Sequence, residues 1–299
     1  MGTRYKIDII STVFDSSRVH NSIKNLLANI NKEMSTYIDS STISKFNSLD
    51  AGSSIKINSD FEYVLNKSKH YNEITNGSFD VTIKPLVELW GFGSSELMLS
   101  IPGSNNIDSA ITLLGIEKVY TDKNGRLFKS QSVNIDFSAI AKGYAVDKIS
   151  DFLKANSLID HMVEIGGEIK VSGKNRNRGN WSIGIQNPNL QDSPPSIVLA
   201  ISDKGVATSG NYRNYHDING KRYSHIISPL TGFPVENKIK GVTVISNTCI
   251  DSDALATALM VMDLNDGMKL VEELKDVEAF YILEDEKYKL SSGFMNFAQ

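Results

Sequence analysis

Asn134-Ile135-Asp136-Phe137-Ser138-Ala139-Ile140-Ala141-Lys142-Gly143-Tyr144-Ala145-Val146-Asp147 runs from a strand-like end at Asp136 into a helical pattern that continues from Ser138 to Asn156. Gly143 falls inside that helix, where glycine costs on the order of 1 kcal/mol relative to alanine. Its presence points to close packing or to the approach of a ligand. Lys142 beside it is well placed near a helix start to meet a bound anion, and equally reads as a surface lysine.

Outward from this stretch, strands and helices alternate irregularly. On the N-terminal side, Tyr5 to Ile10 alternates as a half-buried strand, and His20 to Met34 carries Ile23, Leu26, Leu27 and Ile30 at helical spacing. Ser40 to Asn47 is turn-like, Phe61 to Ile74 is a helix capped near Ser59 or Asp60, and Ile83 to Trp90 is a short helix. Gly91 to Ser104, with three glycines and Pro102, reads as a surface loop or flap. Asp108 to Leu114 is helical, and Val119 to Thr121 with Arg126 to Phe128 is a hairpin around Asn124-Gly125.

On the C-terminal side, Val163 to Val171, Trp181 to Gln186, Ser196 to Ser202 and Gly241 to Ser246 are strand-like. Asp253 to Met262 and Gly267 to Leu274 are helices, and Ala279 to Leu283 is the final strand. There is no strict βαβ rhythm, no fixed-period repeat and no low-complexity linker. The expectation is an α+β fold of mixed sheets with packed helices, a single domain over residues 1–299.

Composition narrows the function classes. Of 299 residues, 40% are hydrophobic and 22% charged, which suits a globular chain able to build a large core. With 31 Lys and Arg against 35 Asp and Glu and no basic cluster, nucleic-acid binding is disfavoured. The single cysteine, Cys249, excludes an internal disulfide, a four-cysteine zinc site and CxxC redox chemistry. No run approaches the roughly 18 apolar residues that cross a bilayer.

Familiar catalytic signatures fail. Gly91-Phe92-Gly93 lacks the third glycine of a dinucleotide fingerprint because Glu96 stands there, and no phosphate loop, GxSxG elbow or HExxH helix occurs. His20, His70, His161, His216 and His225 are dispersed, so a histidine-rich metal cage is not expected. The sharpest cluster that remains is Asp251-Ser252-Asp253-Ala254-Leu255-Ala256-Thr257. Asp253 and Thr257 are four apart, which on a helix puts two hard oxygen donors on one face as a half-site for Mg²⁺. The competing reading is a helix cap by Asp253 and a hydroxyl bonded back to the preceding turn.

Further clusters are Gly77-Ser78-Phe79-Asp80, Leu89-Trp90-Gly91-Phe92-Gly93, Gly166-Gly167-Glu168, Ala207-Thr208-Ser209-Gly210 and Ser224-His225-Ile226-Ile227. Turn chemistry explains each singly. Their order and spacing, together with Met1-Gly2-Thr3, the run from Asp136 to Asp147 and the run from Asp253 to Thr257, resemble the ApbE family, the FAD:protein FMN transferases, across almost the whole chain.

The resemblance implies two closely joined lobes around a flavin-binding cleft, with Mg²⁺ against the FAD pyrophosphate. It assigns the metal to Asp253, Thr257 and, through its backbone oxygen, Ala139. It assigns FAD contacts to Met1, Tyr37, Ser78, Phe79, Asp80, Asp136, Lys142, Ile227 and Ala256. The implied reaction transfers FMN to a Thr or Ser hydroxyl of a client flavoprotein and releases AMP, with Lys142 neutralising phosphoryl charge and His225 accepting the hydroxyl proton. An Mg²⁺-dependent FAD pyrophosphatase and a non-catalytic FAD-binding protein are the alternatives.

One departure from the family pattern is Ser228 before Pro229, where an acid is common; it bears on how His225 is oriented. The resemblance further leads to the expectation that the protein is exported, to the periplasm or to a membrane-anchored position facing outside, through a leader upstream of Met1. A cytoplasmic location is the alternative.

Overall fold

The computed structural model describes residues 2–93, 100–186, 195–211, 214–218, 220–284 and 287–299. In chain order the first elements are β1 (Tyr5–Ile9), α1 (Ser16–Met34), α2 (Thr42–Asn47), β2 (Ser54–Lys56), α3 (Ser59–Ile74), α4 (Lys84–Leu89) and α5 (Ser104–Thr112). Then come β3 (Val119–Thr121), β4 (Arg126–Lys129), α6 (Ala141–Ala155), β5 (His161–Ile165), β6 (Glu168–Ser172), β7 (Trp181–Ile185) and β8 (Ile197–Ile201). The rest are β9 (Gly205–Gly210), β10 (Tyr215–Ile218), β11 (Lys221–Ser224), β12 (Ile239–Ser246), α7 (Cys249–Val261), α8 (Leu264–Glu273), β13 (Glu278–Leu283) and β14 (Tyr288–Leu290). No described helix is long and apolar enough to cross a membrane. The chain divides into two compact units, one of Met1–Leu27, Lys142–Tyr212 and Asn237–Gln299, the other of Ala28–Ala141 and Arg213–Glu236.

The first unit is built on a seven-stranded sheet in the order β1-β5-β6-β9-β12-β13-β14, every neighbouring pair antiparallel. Both faces of its middle are covered. The β7-β8 hairpin packs Trp181, Ile183, Ile185, Leu199 and Ile201 against Val171, Val206, Ile245, Phe280 and Ile282, while α7 lies against β9 and β12. That double burial leaves every position of β12 buried except Lys240, which is half-buried. Helix α7 is apolar nearly all round and almost entirely buried, as a helix without a solvent face must be.

The second unit holds a three-stranded sheet in the order β2-β4-β3 and the β10-β11 hairpin. Leu86 and Trp90 of the α4 region pack with Ile107, Ala110 and Leu114 of the α5 region and with Tyr223 and Ile227. Trp90 is fully buried, stacks on Tyr223 at 5.6 Å and donates its indole N–H to Gly232 O at 2.8 Å.

The mixed α+β layering follows the sequence pattern, while β2, β14 and the β10-β11 hairpin are additions to it, α6 starts later and α7 earlier than the pattern suggests, and further local differences appear. Ser40 to Asn47 is not all turn: the Ser41 hydroxyl accepts from the Ser44 amide at 3.1 Å and so starts α2. Val163 to Val171 is not one strand but β5 and β6, joined by Gly166 and Gly167 at φ of +66° and +108°. Ala207 to Gly210 lies in a strand, β9, and not in a turn. Of the Gly91 to Ser104 loop, positions 94–99 lie outside the described residues.

Candidate active site

In the first unit the chemistry gathers at the start of α7. Thr248 caps this helix, so Asp253 sits a full turn inside it and is not the cap that sequence reading offered as an alternative. Asp147 on α6 accepts the amides of Cys249 and Ile250 at 2.9 and 2.8 Å, which satisfies two of the orphan donors of the helix N-terminus. Gly143 explains its own presence in α6. A Cβ there would stand 2.5 Å from Cys249 O and 2.8 Å from Asp253 Cβ, so only glycine lets α6 and α7 approach this closely. Gly205 on β9 does the same from the sheet side, against Thr248 and Cys249.

This packing delivers three charged side chains to one spot. Lys142 Nζ lies 3.4 Å from Glu168 Oε1 and 3.6 Å from Asp253 Oδ1, and Asp253 Oδ2 accepts the Gly143 amide at 2.9 Å. Burial works against the Lys142 charge, but Asp253 and then Glu168 outweigh it and hold the ammonium above the ordinary lysine range. Burial first, and the Asp253 charge second, push the Glu168 carboxyl up to about 8, against the pull of Lys142. Asp253 first and Glu168 second keep the ammonium charged, and burial favours the protonated form of Glu168. Glu168 Oε2 is buried with no hydrogen-bond partner among the described residues. One turn along α7 the Thr257 hydroxyl meets Ser209 Oγ at 3.2 Å.

Among the described residues no group of three or more His, Cys, Asp or Glu side chains is arranged to hold a metal. The donors Asp253 and Thr257, with the orphaned Glu168 oxygen nearby, instead suit a hard cation that keeps further positions for water and phosphate, as Mg²⁺ does. Cys249 is fully buried with its thiol pushed up by burial, an inert packing residue.

In the second unit, two of the motif segments are joined by one backbone bond, Asp136 N to Val81 O at 2.7 Å. Asp80 precedes that bond and accepts both the amide and the hydroxyl of Thr82 at 2.7 Å. Burial raises its carboxyl above the usual range while the Thr82 bonds oppose this. Asp136 accepts the Ser138 amide at 2.9 Å and its hydroxyl at 2.5 Å. Ser78 and Phe79 are buried, with Phe79 N donating to Thr75 Oγ1 at 3.1 Å.

His225 is half-buried. Its Nδ1 lies 2.9 Å from Asn214 O. A carbonyl only accepts, so in the neutral ring Nδ1 carries the hydrogen and Nε2 is the acceptor nitrogen. Phe92 lies edge-on to His225 at 6.3 Å and stacks on His216 at 4.3 Å. The Ser228 hydroxyl accepts from Thr231 N at 3.3 Å and its amide donates to Phe233 O, so this residue closes the turn that runs to Phe233.

A family described as the ApbE family matches residues 1–281. The chain belongs to this family. Among its relatives is an FAD:protein FMN transferase of Vibrio cholerae, 36% identical over 301 residues, covering 99% of this chain and 90% of the relative. Another, from Haemophilus influenzae and of the same description, is 34% identical over 282 residues, covering 91% and 82%. The solved structure of the flavin transferase ApbE from Vibrio cholerae superposes with a TM-score of 0.91 at 36% identity, covering 99% of this chain and 96% of that one.

Against the residues that the ApbE pattern singles out, the placement is as follows. Lys142, Asp253, Thr257 and Ala256 share the first unit, and Lys142 and Asp253 are in contact. Ala256 is fully buried inside α7. Tyr37, Ser78, Phe79, Asp80, Asp136, Ala139, His225 and Ile227 belong to the second unit. Tyr37 is 72% exposed and makes no use of core packing, whereas Ile227 is 3% exposed and bridges Pro234, so it is held as a core residue. Met1 lies outside the described residues. Glu168, Asp147, Ser209 and Asn214 were not singled out as site residues. Gly166-Gly167 before Glu168 was the available signal, since a tight glycine pair at a strand end marks a close approach.

Proposed function

We propose that the chain is an FAD:protein FMN transferase that moves FMN from FAD to a threonine or serine hydroxyl of a client flavoprotein and releases AMP. Membership of the ApbE family makes it a flavin transferase. The observation that supports the finer reading is the Lys142 ammonium, 3.4 Å from Glu168 and 3.6 Å from Asp253, on elements that also carry Thr257.

In this reaction the client hydroxyl oxygen bonds to the phosphorus of the FMN half. The bridging P–O bond breaks toward AMP, and the hydroxyl proton passes to a base. Lys142 offsets the charge that builds on the transferred phosphoryl group, a role that positioning and electrostatics alone fulfil. Asp253 and Thr257 are the residues that would hold Mg²⁺, which when bound supplies further charge neutralisation and orients the diphosphate. Glu168 steadies Lys142. His225 takes the proton at Nε2, its ring fixed by the Nδ1 bond to Asn214 O.

The test is mass spectrometry of a client after incubation with FAD, Mg²⁺ and the protein. A gain equal to FMN minus water on a Thr or Ser is the expected result. AMP release with no gain on any client would replace the reading with FAD pyrophosphatase. Tight FAD binding with neither product would leave an FAD-binding protein.

A further inference from the structure

Strand β1 ends the seven-stranded sheet and, among the described residues, pairs only with β5. The pairing fixes which way its backbone faces. Gly166 N donates to Arg4 O at 3.2 Å and Ile10 N donates to Asp160 O at 2.8 Å, so residues 4, 6, 8 and 10 turn their amides and carbonyls toward β5. By alternation Tyr5, Ile7 and Ile9 turn theirs outward, and among the described residues no strand pairs with that edge.

The edge is neither flat against solvent nor covered by a strand. It lines a groove of about 790 Å³. One wall is Phe14, Val19 and Ile23 from the α1 region, and the other is Asn175 to Asn177 with Trp181. Val13 and Phe14 beside it are 85% and 37% exposed, an apolar surface at the mouth. Asp8 is already paired with Lys6 at 2.9 Å, whereas Arg176 on the facing wall has no ion pair among the described residues.

The groove also leads somewhere. The N-terminal end of β1 abuts the Gly166-Gly167 turn, where a Cβ on Gly166 would stand 2.9 Å from Thr3 Cγ2. The next residue after that turn is Glu168, 3.4 Å from Lys142 Nζ. A chain laid along the β1 edge therefore points at the acid and lysine cluster of the same unit.

We propose that the β1 edge is the docking site of the client: an extended acceptor segment adds as a strand along Tyr5 to Ile9, with an acidic side chain opposite Arg176 and its hydroxyl-bearing residue toward the Gly166 end. Main-chain hydrogen bonds to Tyr5, Ile7 and Ile9 supply affinity, and the groove walls and Arg176 supply selectivity, the general logic of strand addition. The proposal rests on the transferase reading, because it needs a protein acceptor.

Amide hydrogen exchange of the full chain, with and without an acceptor protein, reads the edge directly. The Ile7 and Ile9 amides should slow at least tenfold at saturating acceptor, while those of Lys6 and Asp8 are protected throughout. Unchanged exchange at Ile7 and Ile9 would overturn the proposal. So would protection that grows with the concentration of the chain alone, which would assign the edge to self-association. In kinetics, Ile7→Pro removes one outward N–H without breaking a bond to β5, and Arg176→Glu reverses the charge of the wall. Both should raise the client KM at least tenfold, with FAD binding and client-independent AMP release unchanged. Wild-type KM in both variants would sink the docking site and leave the transferase reading standing. Protection of the edge by an acceptor that never gains FMN would sink the transferase reading and leave the docking site.

Discussion

The Gly143 amide donates to Asp253 Oδ2 at 2.9 Å, and there is no room for a side chain between them. This reverses the usual sign of a helical Gly→Ala change, which gains about 1 kcal/mol where space permits. Gly143→Ala should instead destabilise by about 1–3 kcal/mol, the range for overpacking a filled core. Urea denaturation checks it, and a stabilised variant would show that α6 and α7 are not in the contact described.

Asp253→Ala removes the main partner of the Lys142 ammonium and the acid proposed to hold the cation. The transfer rate should fall at least a hundredfold, as on loss of a transition-state electrostatic contact. Because the side chain is buried, circular dichroism must accompany the assay. A folded variant within a few-fold of wild type would remove Asp253 from the chemistry.

His225→Ala should slow FMN transfer with FAD affinity retained. An unchanged transfer rate would return His225 to a packing role beside Asn214 and Phe92.

Stability should depend on pH through Asp147, whose carboxyl burial pushes up to about 6 despite two amide bonds. The folded state then holds that proton more tightly than the unfolded chain. Its contribution is fully present below the unfolded value near 4 and is lost as pH rises through about 6. Glu168, raised from the usual 4.5 to about 8, adds to the decline from about 4.5 upward and carries it on through 8. Denaturation of wild type from pH 4 to 9 reads both carboxyls, and Asp147→Asn should make the pH dependence between about 4 and 6 shallower, where Glu168 still contributes, and leave it unchanged above. An Asp147→Asn curve that runs parallel to wild type between pH 4 and 6 would contradict the burial of Asp147.

The layering and most elements were legible because periodicity survives wherever one face is buried: the β3-β4 hairpin lies where its pattern places it, and α1, α3 and α8 lie on their segments but start two to four residues earlier. What escaped reading was set by contacts distant in sequence. Glu168 matters because β6 carries it to Lys142, and no spacing announces that pairing. Strand β9 was hidden by its Gly, Ser and Thr content, which the sheet uses to bring α7 close at Gly205 and to meet Thr257 at Ser209. Asp253 and Thr257 were legible as a pair, being one turn apart on a single helix, but the true cap, Thr248, was not, because buried and capping polar residues look alike in a string of letters.

Helix α7 carries Asp253 and Thr257 while being nearly solvent-free, braced by Asp147 at its start and by glycines on two sides. Such an element has no independent looseness: it cannot shift by a fraction of an ångström without disturbing the interior. Heat inactivation and global melting of this protein should therefore coincide, and a screen for lost activity along α7 will double as a screen for misfolding.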